Sequence, residues 1–386
     1  MEGREVITLE GLPDRQRQLL ADSFVREGAV QCGFCTPGSA VRAAHLLDND
    51  LTGDRSRVKK ALAGHLCRCT GYHRIVDAIQ TAGEAWNVGK DLPSDRTPRR
   101  SQCFGEDRGL DRALTPLVTD GVGADSDRYR GREQTLGEKD FVADMTVDGL
   151  LHAALVLSEH PRARIKAIDE SEADAGPGVQ RIFTADDVPG ARNHGLIVKD
   201  WPLLVGVGES TRYIGDVLAI VVADTQHQAR TAAERVSVDY EELEPICSPD
   251  EALAPGAPEI HEGGNLLEMC AFARGKVDEA LGASAHVVEE DFSTQRIEHA
   301  FLEPEACLAV PDNGNLLIYS QGQGVHDDQR QIAAILGIEA QKIQVELVSN
   351  GGAFGGKEDL SVQGHTALAA WLMQRPVKTV LTREQS

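Results

Sequence analysis

The order of apolar and polar positions divides the chain into two unlike regions. Across residues 13–90 the apolar side chains recur at helical spacing. Leu19, Leu20, Phe24 and Val25 mark one face over 14–28. Thr36-Pro37, an N-cap residue followed by proline at the first helical position, opens a second helix over 38–47. Val58, Ala61 and Leu62 mark a third over 56–66. Ile75, Val76, Ile79 and Ala82 mark a fourth, preceded by Thr70-Gly71 and ending near Trp86. Four short helices around one apolar seam predict a small bundle.

After residue 141 the pattern changes to short apolar runs separated by turn residues, which predict strands at 150–157, 165–168 and 179–184. A nearly continuous apolar run at 216–223 is followed by a helical stretch, 225–235, and a strand, 236–240. That succession has the scale of a βαβ unit. The last block reads as strands at 286–292, 307–310 and 316–319, a helix over 327–336, a strand at 342–348, a glycine cluster, a helix over 361–373 and a strand at 377–381. Residues 91–130 are rich in proline, arginine, glycine and aspartate without an apolar period. Residues 245–265 hold four prolines. Both read as connecting segments. The predicted class is multidomain α+β. It comprises a helical domain at 1–90, a linker at 91–130, an α/β unit at 131–250, a connector at 251–282 and a second α/β unit at 283–386.

Composition narrows the partners. With 386 residues, the chain is long enough for two or three domains. A formal charge of −22 argues against nucleic acid and anionic membrane surfaces, which reward lysine and arginine. Apolar runs such as 217–223 are far too short to cross a bilayer. The first residues do not read as a secretion signal. Of the eight cysteines, Cys103, Cys247, Cys270 and Cys307 are scattered without spacing, so a reducing cytoplasm is the expected compartment.

The other four cysteines form two pairs, Cys32-Gly-Phe-Cys35 and Cys67-Arg-Cys69, next to predicted helix starts. Four thiolates can close a metal or iron–sulfur site, and helix N-termini favour their charge. Zinc remains open on spacing alone, although zinc ribbons use two Cys-x-x-Cys knuckles on hairpin turns. A second concentration of signal is Gly351-Gly352-Ala353-Phe354-Gly355-Gly356-Lys357-Glu358. Four glycines in six residues allow positive φ and close approach of backbone to a bulky ligand. The Gly-Lys-Ser/Thr of a phosphate loop is missing. A tight strand-to-helix turn is the plainer reading.

Gln31 through Gly38, with Leu66-Cys67-Arg68-Cys69-Thr70-Gly71-Tyr72, resembles the helical [2Fe–2S] domain of the xanthine dehydrogenase and aldehyde oxidase family. The resemblance covers about residues 10–90. It implies that Cys32, Cys35, Cys67 and Cys69 ligate one [2Fe–2S] cluster, with Gln31 and Cys69 beside the pterin of a molybdenum cofactor. His73-Arg74 stands where many relatives have Arg-Pro. Arg212–Asp216 and Val238–Leu243 resemble the family's α/β hammerhead domain, whose usual Asp-Gly opening is Arg130-Gly131 here. The glycine octet resembles the molybdopterin-binding loop, which implies that backbone at Phe354 and Gly355 packs by the molybdenum. Gln323 is then the glutamine that hydrogen-bonds the cofactor, preferred over Gln321 on its spacing to Phe354. Glu358 matches a purine-binding glutamate, which aldehyde oxidases typically replace by an apolar residue. Asp359 reads as a solvated or capping carboxylate, and His299 and Glu303 as structural.

The resemblance further implies hydroxylation of a purine such as xanthine or hypoxanthine, with electrons leaving through the cluster to a separate flavin (FAD) subunit in an oligomer. No plant-type second cluster or flavin domain is recognisable. The molybdenum region stops early, so the general base is expected outside this chain and the chain alone is expected to be inactive. Two alternatives stand beside this reading. One is an aldehyde or nicotinate-like dehydrogenase of the same family, and the other a zinc-structured or purely electron-transferring module without substrate. Anaerobic iron reconstitution separates the cluster from zinc. The reduced protein is expected to show a [2Fe–2S] paramagnetic signal that Cys67→Ser abolishes, and a signal that survives the substitution contradicts the ligand set.

Overall fold

The computed structural model describes residues 3, 5–92 and 126–386. Most of the expected linker, with Cys103, lies outside the described residues. Helices α1 (Asp14–Arg26), α2 (Thr36–Asp48), α3 (Arg55–Ala61) and α4 (His73–Asn87) form the expected bundle. Leu20 and Phe24 of α1, Ala40 and Leu47 of α2, Val58 of α3 and Ile75 and Ile79 of α4 share its core. Asp54 caps α3 by accepting from the N–H groups of Ser56 and Arg57. Two local expectations change. Thr36 does not cap α2 but starts it, with Cys35 in the cap position and Pro37 in the first turn. Helix α3 stops at Ala61, with Leu62 at its C-cap and a turn beyond it in which the His65 N–H donates to the Leu62 carbonyl at 2.9 Å.

A short helix, α5 (Gly131–Leu136), packs on α1 and α2. Arg132 pairs with Asp22 across that contact, and Gln134 Nε2 donates to the Cys32 carbonyl at 3.2 Å. The α5 region therefore braces the first cysteine loop.

The rest of the chain supplies β1 (Leu151–Leu157), β2 (Ala163–Asp169), α6 (Ser171–Asp174), β3 (Val179–Phe183), β4 (Asn193–His194), β5 (Trp201–Pro202), β6 (Val217–Ala223), α7 (Gln226–Ala233) and β7 (Ser237–Glu242). It continues through α8 (Pro249–Leu253), α9 (Val277–Gly282), β8 (Ala306–Asp312), β9 (Asn315–Ser320), α10 (Val325–Leu336), β10 (Ile343–Leu347), α11 (Gln363–Met373) and β11 (Val377–Val380). Among the described residues one seven-stranded sheet has the order β10-β9-β8-β11-β1-β6-β3, and β2-β7 and β4-β5 form two-stranded pieces. The large sheet is composite. Strands β1, β6 and β3 come from the first α/β segment and β8 to β11 from the last, joined where β1 runs parallel to β11.

The run in β6 is continuously apolar because both its faces are covered. Ile220 and Val222 join the core under α10 and α11, while Ala219 and Val221 join the core against Ile165 and Val238. The β8–β9 hairpin turns on Asn313-Gly314, both at positive φ. The succession β6-α7-β7 is not a βαβ unit. Strand β6 pairs antiparallel with β1 and β3, whereas β7 pairs with β2 in a separate ladder. The strand expected over 286–292 is absent as well. Those residues are exposed and have no ladder partner among the described residues, so their apolar positions are not fixed in a sheet.

Asp328, fully buried in the first turn of α10, accepts from Ser320 Oγ at 2.9 Å. Burial pushes its carboxyl from 3.8 up to about 6. Across that window the unfolded chain releases a proton that the folded chain keeps, so stability falls as pH rises through it. Asp328→Asn is expected to remove this component, on the order of 1–3 kcal/mol, and to flatten urea-denaturation stability between pH 4 and 7.

Candidate cluster and cofactor site

The two cysteine loops meet at one end of the helical bundle. The thiols interact across the loops, Cys32 with Cys69 and Cys35 with Cys67. Hydrogen bonding from Cys35 holds Cys67 down at about 5, helped by Thr70, whose Oγ1 lies 3.1 Å from Cys67 Sγ. Cys69 is lowered to about 7 by Cys32, while Cys32 and Cys35 are pushed up as the donors of these pairs and by burial. Four thiols from two loops facing one another are a donor set that an iron–sulfur cluster takes.

The Thr-Gly-Tyr sequence after Cys69 has a local physical role. Gly71 and Tyr72 both adopt positive φ, which turns the chain back on itself. The Tyr72 hydroxyl then accepts from the Cys67 N–H at 2.9 Å and donates to His65. The second cysteine loop is thus closed by one phenol. Gln31 stands exposed beside Cys32.

The glycine loop lies against these cysteines. A Cβ on Gly351 would meet Glu303 Cβ at 2.3 Å and the Phe34 ring at 3.0 Å, so a glycine at 351 lets the loop touch the Cys32–Cys35 turn. Phe34 also stands edge-on to Phe141, with ring centroids 5.1 Å apart. On the other side, Arg68 donates to the carbonyls of His299 and Glu298 at 3.0 and 3.4 Å. Residues 298–303 therefore run as a strap between the two loops. The His299 ring lies 2.9 Å from where a Gly356 Cβ would be, and Phe301 packs beside Gly352 and Gly356.

Beneath the strap Glu303 and Lys357, 2% and 1% exposed, form a buried pair. Nζ lies 3.9 Å from Oε2, and Oε2 accepts from the Gly351 N–H at 2.6 Å. Lys357 also donates to the Glu303 carbonyl at 2.8 Å and to Gln321 Oε1, and its Nζ sits 4.3 Å from the centre of the Phe301 ring. Burial raises Glu303 to about 7 against the pull of Lys357, and lowers Lys357 to about 8 against that of Glu303.

The two glutamines separate cleanly. Gln321 is buried and bonded to Lys357 and Pro304. Gln323 is exposed, and its Oε1 accepts from the N–H groups of Gly355 at 3.0 Å and Lys357 at 3.3 Å. Phe354 (φ 55) is half exposed, and a Cβ on Gly355 (φ 91) would find no atom within 4 Å. Backbone here faces open space, the form a bulky cofactor needs. Glu358 follows, exposed. Asp359 is exposed and accepts from the Leu196 N–H at 2.9 Å. Both donor sets fit their implied groups, thiols for iron and an open glycine backbone for the pterin.

Three family models match in succession. They are the [2Fe-2S] binding domain over 8–80, the aldehyde oxidase and xanthine dehydrogenase a/b hammerhead domain over 136–244, and the molybdopterin cofactor-binding domain over 260–386. The chain belongs to the molybdenum hydroxylase family of xanthine dehydrogenase and aldehyde oxidase. Among similar molybdenum hydroxylases is a Bacillus subtilis protein named as a probable xanthine dehydrogenase subunit, 37% identical over 67% of this chain and 35% of its own length. Another is the nicotinate dehydrogenase large molybdopterin subunit of Eubacterium barkeri, 36% identical over 66% of this chain and 60% of its own. The solved aldehyde oxidoreductase from Desulfovibrio gigas superposes with a TM-score of 0.81 at 31% identity, covering 98% of this chain and 42% of that one. The chain thus spans about a third to three fifths of these relatives. Among the described residues no helix is long and apolar enough to cross a membrane.

Sequence reasoning misses Phe34, Arg68, Tyr72 and Lys357 as parts of the site. Each stands inside a legible motif, but its partners lie far away in sequence or beyond the motif. Removing the Tyr72 hydroxyl leaves the Cys67 N–H and the His65 carbonyl unpaired. Tyr72→Phe is expected to cost about 1–3 kcal/mol and to speed loss of bound iron to a chelator, followed by the decay of the visible absorption.

Proposed function

We propose that this chain is the cluster- and cofactor-bearing part of a purine hydroxylase. The observation that carries the reading is Glu358, exposed at the end of the same loop whose Phe354–Gly355 backbone is open and held by Gln323. An ionised Glu358 accepts from a purine N–H, and a protonated one donates to a ring nitrogen, contacts that an aldehyde does not offer. The naming of the Bacillus subtilis relative supports the same substrate class.

In this reading Cys32, Cys35, Cys67 and Cys69 hold the [2Fe–2S] cluster. Gln323 and the backbone of Phe354 and Gly355 hold the molybdopterin, with Gln31 and Cys69 on the side between them. When bound, the cofactors supply two-electron oxidation of a ring carbon with water as oxygen source and one-electron transfer away from it. This chain's residues orient the purine at Glu358, keep the glycine loop rigid through Gln323 and the Glu303–Lys357 pair, and seat the cluster loops beside it. The general base and a flavin-bearing acceptor subunit are supplied from outside these residues, in an oligomer. The seven described cysteines are all free thiols, in keeping with a cytoplasmic location.

Aldehyde oxidation is the second reading, favoured by the Desulfovibrio gigas structure, which matches 98% of this chain. Glu358→Ala in the full-length enzyme separates them. Purine kcat/KM is expected to fall about 10–100-fold, the range for a lost charged hydrogen bond, while aldehyde turnover changes far less. Equal losses on both substrates favour the aldehyde reading.

A further inference from the structure

The strap over 298–303 does more than connect. Its buried carboxylate, Glu303, is one backbone step from the first cysteine loop, because Oε2 holds the Gly351 N–H at 2.6 Å and Gly351 abuts the ring of Phe34 between Cys32 and Cys35. Its partner ammonium, Lys357, is fixed by the Glu303 carbonyl at 2.8 Å and by Gln321. Both side chains are almost wholly excluded from water, so their fields are little screened. Arg68, between Cys67 and Cys69, is exposed.

We infer that Glu303 and Lys357 act as an opposed pair of positioning charges that set the reduction potential of the cluster held by Cys32, Cys35, Cys67 and Cys69. Reduction adds one electron to the cluster, taken in the measurement from dithionite, and makes the site one unit more negative. The Lys357 ammonium favours that state and the Glu303 carboxylate opposes it. The pair also belongs to the cofactor loop, so the loop that holds the pterin tunes the cluster that takes its electrons. The inference rests on the cluster ligands and is independent of the purine assignment.

The test is a redox titration of the full-length, iron-loaded protein, followed by its paramagnetic signal, at a pH between the Glu303 value of about 7 and the Lys357 value of about 8, where both side chains are mostly charged. Lys357→Met is expected to lower the midpoint and Glu303→Gln to raise it. Each shift is on the order of tenfold in the equilibrium constant for reduction, ~59 mV for one electron. Glu303→Gln keeps an oxygen for the Gly351 N–H and changes chiefly the charge, so it decides the matter alone where Lys357→Met does not fold. An unmoved midpoint in Glu303→Gln, or shifts of the same sign in both variants, overturns the inference, because mere loosening has no reason to act in opposite directions. A wild-type protein without the cluster signal overturns the ligand set and this inference together, whereas purine turnover without a midpoint shift overturns only the latter.

Discussion

The buried pair of Glu303 and Lys357 is the contact on which the site depends. A carboxylate and an ammonium excluded from water are tolerated only when each finds further partners. Those partners are the Gly351 N–H for Glu303 Oε2, and the Glu303 carbonyl and the Gln321 amide for Lys357, while Glu303 Oε1 stays buried without a hydrogen bond. These contacts tie three segments together: the strap over 298–303, the turn at 320–323 and the glycine loop. Gln323 then gains its place over Gly355 and Lys357, and Gly351 its place against Phe34. The cofactor loop and the cysteine loops become one rigid region.

The composite sheet supplies the frame for that region. Strand β1 from the first α/β segment lies beside β11 from the last, so the two segments share a core rather than merely touching. Lys378 on β11 reinforces the join by donating to the carbonyls of Ala143 and Met145 at 2.8 Å. Ser349, just before the glycine loop, bridges to Phe141, whose ring meets Phe34 of the cysteine turn. The helical domain is held to this frame by Arg68 and by the Phe34 contacts, with α5 packed on α1 and α2 beside the first cysteine loop.

Local pattern revealed more of the fold than of its connections. The helices of the bundle and strands such as β1, β6 and β9 follow from apolar spacing, because each buries a face whose period is visible in consecutive residues. The βαβ reading of β6-α7-β7 failed since spacing along the chain carries no information about which strand becomes a neighbour. The 286–292 segment misled for a related reason, as alternation makes a strand only where a ladder exists to receive it. In the site, the four cysteines and the glycine octet stood out by residue type and spacing. Phe34, Arg68, Tyr72 and Lys357 did not, because their work is done on His65, Glu298, His299, Glu303 and Gly351.

The sequence alone determined the chemistry available to this protein: four thiols in two pairs, an open glycine backbone and a carboxyl group after it. Those features depend on side-chain type and on turns only a few residues long, which local order encodes. The tertiary structure decided how these parts relate. It brought the Cys32–Cys35 loop against the Cys67–Cys69 loop, buried Gln321 while leaving Gln323 exposed, and set a charged pair between cluster and cofactor loops. Such choices are made by packing and by the need of buried polar groups for partners, and those partners come from residues as far as 231 positions away.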